Sequence, residues 1–161
     1  MATTNNGKTF MVEGARLVFR NFSGKEGQYN REGDRNFAVI LDDGTAEAML
    51  ADGWNVKYLQ ARDPEDTPTP YIQVAVNFNN RPPRVVMITS TARTNLNEES
   101  VGVLDWAEIS NCDLIARAYE WTVNGKSGIK AYLQSMFITI EEDELERKYA
   151  VQGDESNDGH F

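Results

Sequence analysis

Side chains able to do covalent or metal chemistry are scarce in this sequence. His160 is the only histidine and Cys112 the only cysteine. A zinc cluster of the usual Cys/His type cannot be assembled from them, and neither can a Cys-His or Ser-His-Asp arrangement. The remaining route to catalysis is a carboxylate pair holding magnesium, and Asp42 with Asp43, or Asp105 with Glu108, has the spacing for it. Both pairs have simpler explanations, as a strand end running into Gly44 and as the flank of a helix. Gly125-Lys126-Ser127 suggests a phosphate loop, but that motif needs a glycine at position 120, which is Glu120. A hairpin turn is the better account. No cofactor, metal or enzymatic activity is expected, and a metal-dependent nuclease is kept as the alternative.

A second chemistry is better supplied. Binding an unpaired nucleic-acid strand needs cations that track phosphates and flat rings that accept unstacked bases. The whole chain carries a formal charge of -9, which by itself argues against such a ligand. The charge is segregated, however. Residues 141–161 hold eight acids against Arg147 and Lys148, whereas residues 14–37 hold five bases against three acids. Binding follows the field of one face and not the average. Arg16, Arg20 and Phe22, then Lys25, Tyr29, Arg31 and Arg35 in a glycine-rich loop, form one cluster. The glycines are expected to let that loop mould itself around a strand. Trp54, Lys57 and Tyr58 form another, and Arg81 and Arg84 bracket two prolines. The last cluster is Arg117, Tyr119 and Trp121, with Lys126, Lys130 and Tyr132 across a turn. Trp54 and Trp121 fit a core position as well as a stacking one. Phe19, Phe37, Phe78, Trp106 and Phe137 are expected in the core.

These residues must be carried by strands. Residues 11–22 alternate as one strand, with Leu17 and Phe19 on one side and Arg20 and Phe22 on the other. Residues 36–43 give a second strand, 45–51 a short helix and 54–59 a further strand. Residues 71–78 and 84–90 read as a hairpin about Arg81-Pro82-Pro83, and Asn97 caps a helix reaching Asp105. Residues 113–123 and 129–140 flank Asn124-Gly125, the strongest short hairpin signal. The elements predict a mostly β fold: an OB-type five-stranded Greek-key barrel with extra strands and one or two short helices. The segment 45–70 is then a decoration. At 161 residues and 40% apolar content there is one such domain, residues 10–150, between a disordered N-terminus (1–9) and a disordered acidic tail (151–161). No apolar run is long enough to span a membrane and no secretion signal is present, so an intracellular protein is expected. An acidic protein-interaction or virion protein that binds no DNA is a further alternative, and both monomer and dimer remain open.

Five runs carry a family likeness: FRNFSGKEGQYNREGDRNFAVILDD, DGWNVKYLQAR, RPPRVVMITS, VGVLDWAEI and YEWTVNGKSGIKAYLQSMFITI. They resemble single-stranded DNA-binding proteins of tailed phages, above all those of actinobacteria. The resemblance implies an OB fold, non-catalytic coating and protection of exposed strands in phage replication and recombination, and a place in the cytoplasm of the infected host. It also implies an acidic tail ending in an aromatic, which would contact replication proteins such as a polymerase or helicase. Asp154, Glu155, Asp158 and Phe161 match that pattern, diluted by Ser156, Asn157, Gly159 and His160.

Overall fold

A computed structural model describes residues 2–4, 9–60, 62–79 and 81–141. Its backbone is one mixed sheet of ten strands. In chain order these are β1 (Ala2–Thr4), β2 (Thr9–Val12), β3 (Leu17–Asn21), β4 (Arg35–Ile40), β5 (Val56–Leu59), β6 (Thr69–Val76), β7 (Arg84–Ile88), β8 (Arg93–Leu96), β9 (Ile109–Val123) and β10 (Lys126–Ile140). The main path runs β1-β2-β9-β10-β6-β4-β3, with β5 beside β6, β7 beside β10 and β8 beside β7.

The expected five-stranded barrel is not what forms. The two ends of the path, β1 and β3, pair only with β2 and β4 respectively, so the sheet among the described residues stays open. The first segment explains this. Residues 11–22 are not one strand, because the backbone turns at Gly14, whose φ is +64° and whose N–H donates to Asp113 Oδ1 at 2.9 Å. One half then joins β9 and the other joins β4, several strands apart. Between the halves, Ala15 N–H donates to the Cys112 carbonyl at 2.7 Å and the Arg16 carbonyl accepts from Ile40 N–H at 3.1 Å, single bonds to β9 and β4 without a strand ladder that would close the sheet.

β6 and β7 are likewise not hairpin partners. Both lie parallel to β10 along one of its edges, Val74 and Ala75 beside Ala131 and Tyr132, then Arg84–Ile88 beside Ser135–Thr139. Pro82 and Pro83 favour extended backbone, so the chain steps along β10 where a hairpin would reverse it. The hairpin of β9 and β10 is as the sequence indicated. Asn124 and Gly125 have φ of 52° and 80°, the two left-handed positions of a tight two-residue turn.

One face of the sheet makes the core. Phe37, Val74 and Ala131 are in register across β4, β6 and β10 and all are buried. Phe22 stacks on Phe37 with centroids 5.0 Å apart, and Phe10 meets Trp54 edge-on at 5.1 Å. The segment 45–70 is no decoration, since Ala46, Met49 and Trp54 fill that core and β5 pairs with β6. The helix α1 (Asp43–Ala51) is capped by Asp42, whose carboxylate accepts from the Thr45 N–H at 2.7 Å and its hydroxyl at 2.9 Å. Instead of an α-helix to Asp105 there is a turn and a 3-10 helix, Val101–Asp105. Asn97 Oδ1 accepts from the N–H groups of Glu99 and Ser100 and so caps the turn.

Candidate nucleic-acid interface

The opposite face carries the rings and cations. Asn36, Ala75, Tyr132 and Arg117 are in register across β4, β6, β10 and β9, one residue out of step with the core row. A one-residue offset along a strand puts side chains on the other face. Here lies a groove of about 500 Å³, whose lining includes Tyr29, Arg31 and Arg35 from the early loop and Trp121, Lys130 and Tyr132 from the last hairpin. Two clusters more than eighty positions apart in sequence thus meet in one place. Gln73, Asn77 and Phe78 add to the walls.

Tyr132 is the centre of the charged part. The Arg117 guanidinium and the Lys130 ammonium each lie 5.2 Å from its ring centroid, and Tyr119 meets it edge-on at 5.8 Å. Such cation–ring contacts orient long side chains while leaving the charge accessible. Trp121 lies opposite Gly128, its cross-strand partner. The wall contributed by residues 22–34 is a hydrogen-bonded structure and not a freely mouldable loop. Asn30 Nδ2 donates to the carbonyls of Lys25, Arg31 and Asp34, and Asn36 Nδ2 donates to Asn30 Oδ1. At its neck Gly33 N–H donates to the Gly24 carbonyl at 2.8 Å. A Cβ at Gly24, whose φ is +72°, would stand 3.1 Å from Gly33 Cα, so the neck has no room for a side chain. This scaffold holds Tyr29 with 93% of its surface in solvent.

The groove is not purely cationic. Arg35, only 18% exposed, gives a 3.2 Å ion pair to Glu98 and lies 6.0 Å from the Phe78 ring, while Arg31 pairs with Asp34 at 3.4 Å. Glu98 and Asp34 both line the groove.

Several expected contact residues serve elsewhere. Phe22 and Trp54 are buried in the core. Arg20 donates through Nη1 to the carbonyls of Leu104 and Ala107, both at 2.8 Å, and so holds the 3-10 helix in place. Lys25 lies over Trp106 at 4.7 Å, away from the groove lining. Arg16, Tyr58, Arg81 and Lys126 are exposed but do not line the groove. Arg84 lies 5.1 Å from the Phe137 ring and Arg93 5.9 Å from it, farther along β10. Lys57 is in register with Tyr71 on β6. Asp154, Glu155, Asp158 and Phe161 are outside the described residues.

Two aromatics expected inside are exposed, Trp106 at 75% and Phe19 at 60%. Phe19 is displaced by a bulge: Val18 and Asn21 pair with Ala38 and Asn36, so β3 holds one residue more than β4. The extra residue inverts the alternation beyond it, which is why Phe22 turns inward. Phe78 packs partly against the core and also borders the groove. Its sequence signal was its place between Asn77 and Asn79, where a strand gives way to a polar loop.

The carboxylates considered for metal are engaged with the backbone. Asp105 accepts from the Phe22 and Ser23 N–H groups at 2.6 and 3.1 Å and from the Ser23 hydroxyl at 2.7 Å. The Thr45 bonds also hold the Asp42 carboxyl below its usual range. Among the described residues no three His, Cys, Asp or Glu side chains are grouped to hold a metal ion. No helix of the described residues is long and apolar enough to cross a membrane.

Residues 2–158 match the family described as "Putative phage ssDNA-binding domain". No curated protein matches the chain. Among solved structures, the single-stranded DNA-binding protein from bacteriophage Enc34 aligns with a TM-score of 0.56 at 12% identity, over 88% of this chain and 86% of that one. The same protein in complex with ssDNA aligns with a TM-score of 0.56 at 11% identity, over 88% and 92%. At this identity the likeness is one of fold.

Proposed function

The chain belongs to the phage ssDNA-binding domain family matched over residues 2–158, and we propose that the open face of its sheet binds single-stranded DNA without reading sequence. The role is non-catalytic: coating and protecting exposed strands during phage replication and recombination, in the cytoplasm of the infected host. The observation that carries this reading is the convergence of Tyr29, Arg31 and Arg35 with Trp121, Lys130 and Tyr132 in one groove. Lys130 and Arg117 beside Tyr132 supply phosphate partners next to a ring on which a base can stack. Each such stack contributes about 1–3 kcal/mol by substitution, with little dependence on base identity. The side chains around the ring are amides and cations that suit phosphate and sugar as well as base edges.

The acidic segment 141–161 has the sign to compete for the same cations. We assign it a second role, self-occupancy of the groove or contact with replication proteins such as a polymerase or helicase, with Phe161 as an apolar anchor. Its supports are the charge segregation and the aromatic Phe161 beside the acids of 154–160.

Titration of labelled oligo-dT at two salt concentrations tests the main reading. Binding that weakens steeply with salt supports it, and no binding at low salt refutes it. Removal of residues 151–161 is expected to tighten binding if the tail occupies the groove, and unchanged affinity removes that part.

A further inference from the structure

Phe19 has an arrangement that the fold alone does not account for. It is not glycine, yet its φ is +52°, a left-handed conformation that side chains with a Cβ adopt at a cost. The bulge between Val18 and Asn21 places it there, and the result is a phenylalanine with 60% of its surface in solvent. An exposed apolar ring and a strained backbone at one residue are each unfavourable for stability. Persistence of both points to a use for the ring.

The ring's neighbour shows which face it serves. Phe19 meets Tyr71 at a centroid distance of 5.9 Å and an interplanar angle of 71°. Tyr71 is in register with Ile40, one step out of phase with the buried pair Val39 and Ile72, so it is on the face opposite the core. Along β6 the same face continues through Gln73 and Ala75, both of which line the groove. At about 3.3 Å per residue, Tyr71 lies about 13 Å from the Ala75–Tyr132 row. Lys57, exposed, is the register partner of Tyr71 on β5.

We propose that Phe19 and Tyr71, with Lys57 as their phosphate partner, form a second base-stacking platform that carries a single strand out of the groove to the β3 edge of the sheet. This rests on the single-stranded DNA-binding reading and extends it to the length and path of the bound strand. The pair has the two components that the Tyr132 centre has, ring and adjacent cation, on a face continuous with it. The bulge is then the device that re-aims a residue otherwise destined for the core.

The test compares full-length wild type with Phe19→Asn, since asparagine tolerates left-handed backbone while removing the ring. Two oligo-dT lengths serve, about 4 and about 16 nucleotides, the span of site sizes seen for one small domain. The 16-mer is expected to bind Phe19→Asn about fivefold or more weakly, the 4-mer to bind unchanged, and the melting temperature to stay or rise. Equal binding of the 16-mer overturns the proposal, as does equal weakening of both lengths. If Phe19→Asn does not fold, Lys57→Glu decides by the same two lengths and the same outcomes. Wild-type protein that binds neither length refutes the groove itself, a result distinct from failure of this platform.

Discussion

The indole of Trp121 rests on the bare backbone of its cross-strand partner Gly128: a Cβ there would lie 2.8 Å from Cζ2 and 3.2 Å from Nε1. The glycine leaves a seat for the ring, and the ring shields a stretch of strand that has no side chain. The indole is thereby held at the edge of the groove in one place, with little entropy left to lose on binding a base.

Gly128→Ala is expected to push the indole off this seat. Oligo-dT affinity should fall toward that of Trp121→Ala, a loss of about 1–3 kcal/mol if the stack is removed. Tryptophan fluorescence should shift in the free protein. Fluorescence titration checks both, and wild-type affinity with an unshifted spectrum would show that the seat does not matter.

Arg35 is held by Glu98 at 3.2 Å, so a phosphate entering the groove must share or displace that partner. Glu98→Gln keeps the shape and removes the negative charge. Binding at low salt should tighten a few-fold, equivalent to roughly 0.5–1 kcal/mol. Weaker binding by this variant would mean that Glu98 positions Arg35 more than it competes for it.

Lys130 is assigned to phosphate contact. For single strands, log affinity falls with log salt at about 0.7 per phosphate contact. Lys130→Ala should lower the slope by about that amount and weaken binding to all sequences alike. An unchanged slope would remove Lys130 from the phosphate track.

Burial, and secondarily the neighbouring Asp113 carboxylate, pushes the Cys112 thiol up to about 12, well above the ordinary thiol range. In the folded protein it stays a neutral thiol at pH 8 and should resist alkylation until denaturant is added. The thiol's contribution to stability is complete below about pH 9 and is lost as pH rises toward 12, because the unfolded chain ionises first. Urea midpoints measured at pH 8 and pH 10, with Cys112→Ala as control, check this.

Local pattern made most of the strands, the short helix and the last hairpin legible, because alternation and the Asn-Gly turn are properties of neighbouring residues, while Ala2–Thr4 and Arg93–Leu96 gave no such pattern. The closure of the sheet was not legible. It depended on Gly14 turning the chain and on Pro82 and Pro83 carrying it along β10, effects that decide which strands meet. The two clusters that line the groove were visible as cations beside rings, Arg31 and Arg35 near Tyr29 and Lys130 near Tyr132. Two of the misplaced residues share one cause: the bulge at Phe19 shifts the alternation by one, which exposes Phe19 and buries Phe22. A bulge has no reliable signature in a lone sequence. Arg20, read as a ligand cation, is bound to two backbone carbonyls that lie more than eighty residues away.

Photo-crosslinking of oligo-dT to the full-length protein, with adducts mapped by mass spectrometry, tests most directly where an unpaired strand lies. Adducts are expected on Tyr132, Trp121 and Tyr29, the rings of the groove. Adducts confined to Trp106 and Tyr58, exposed rings that do not line it, would contradict the assignment.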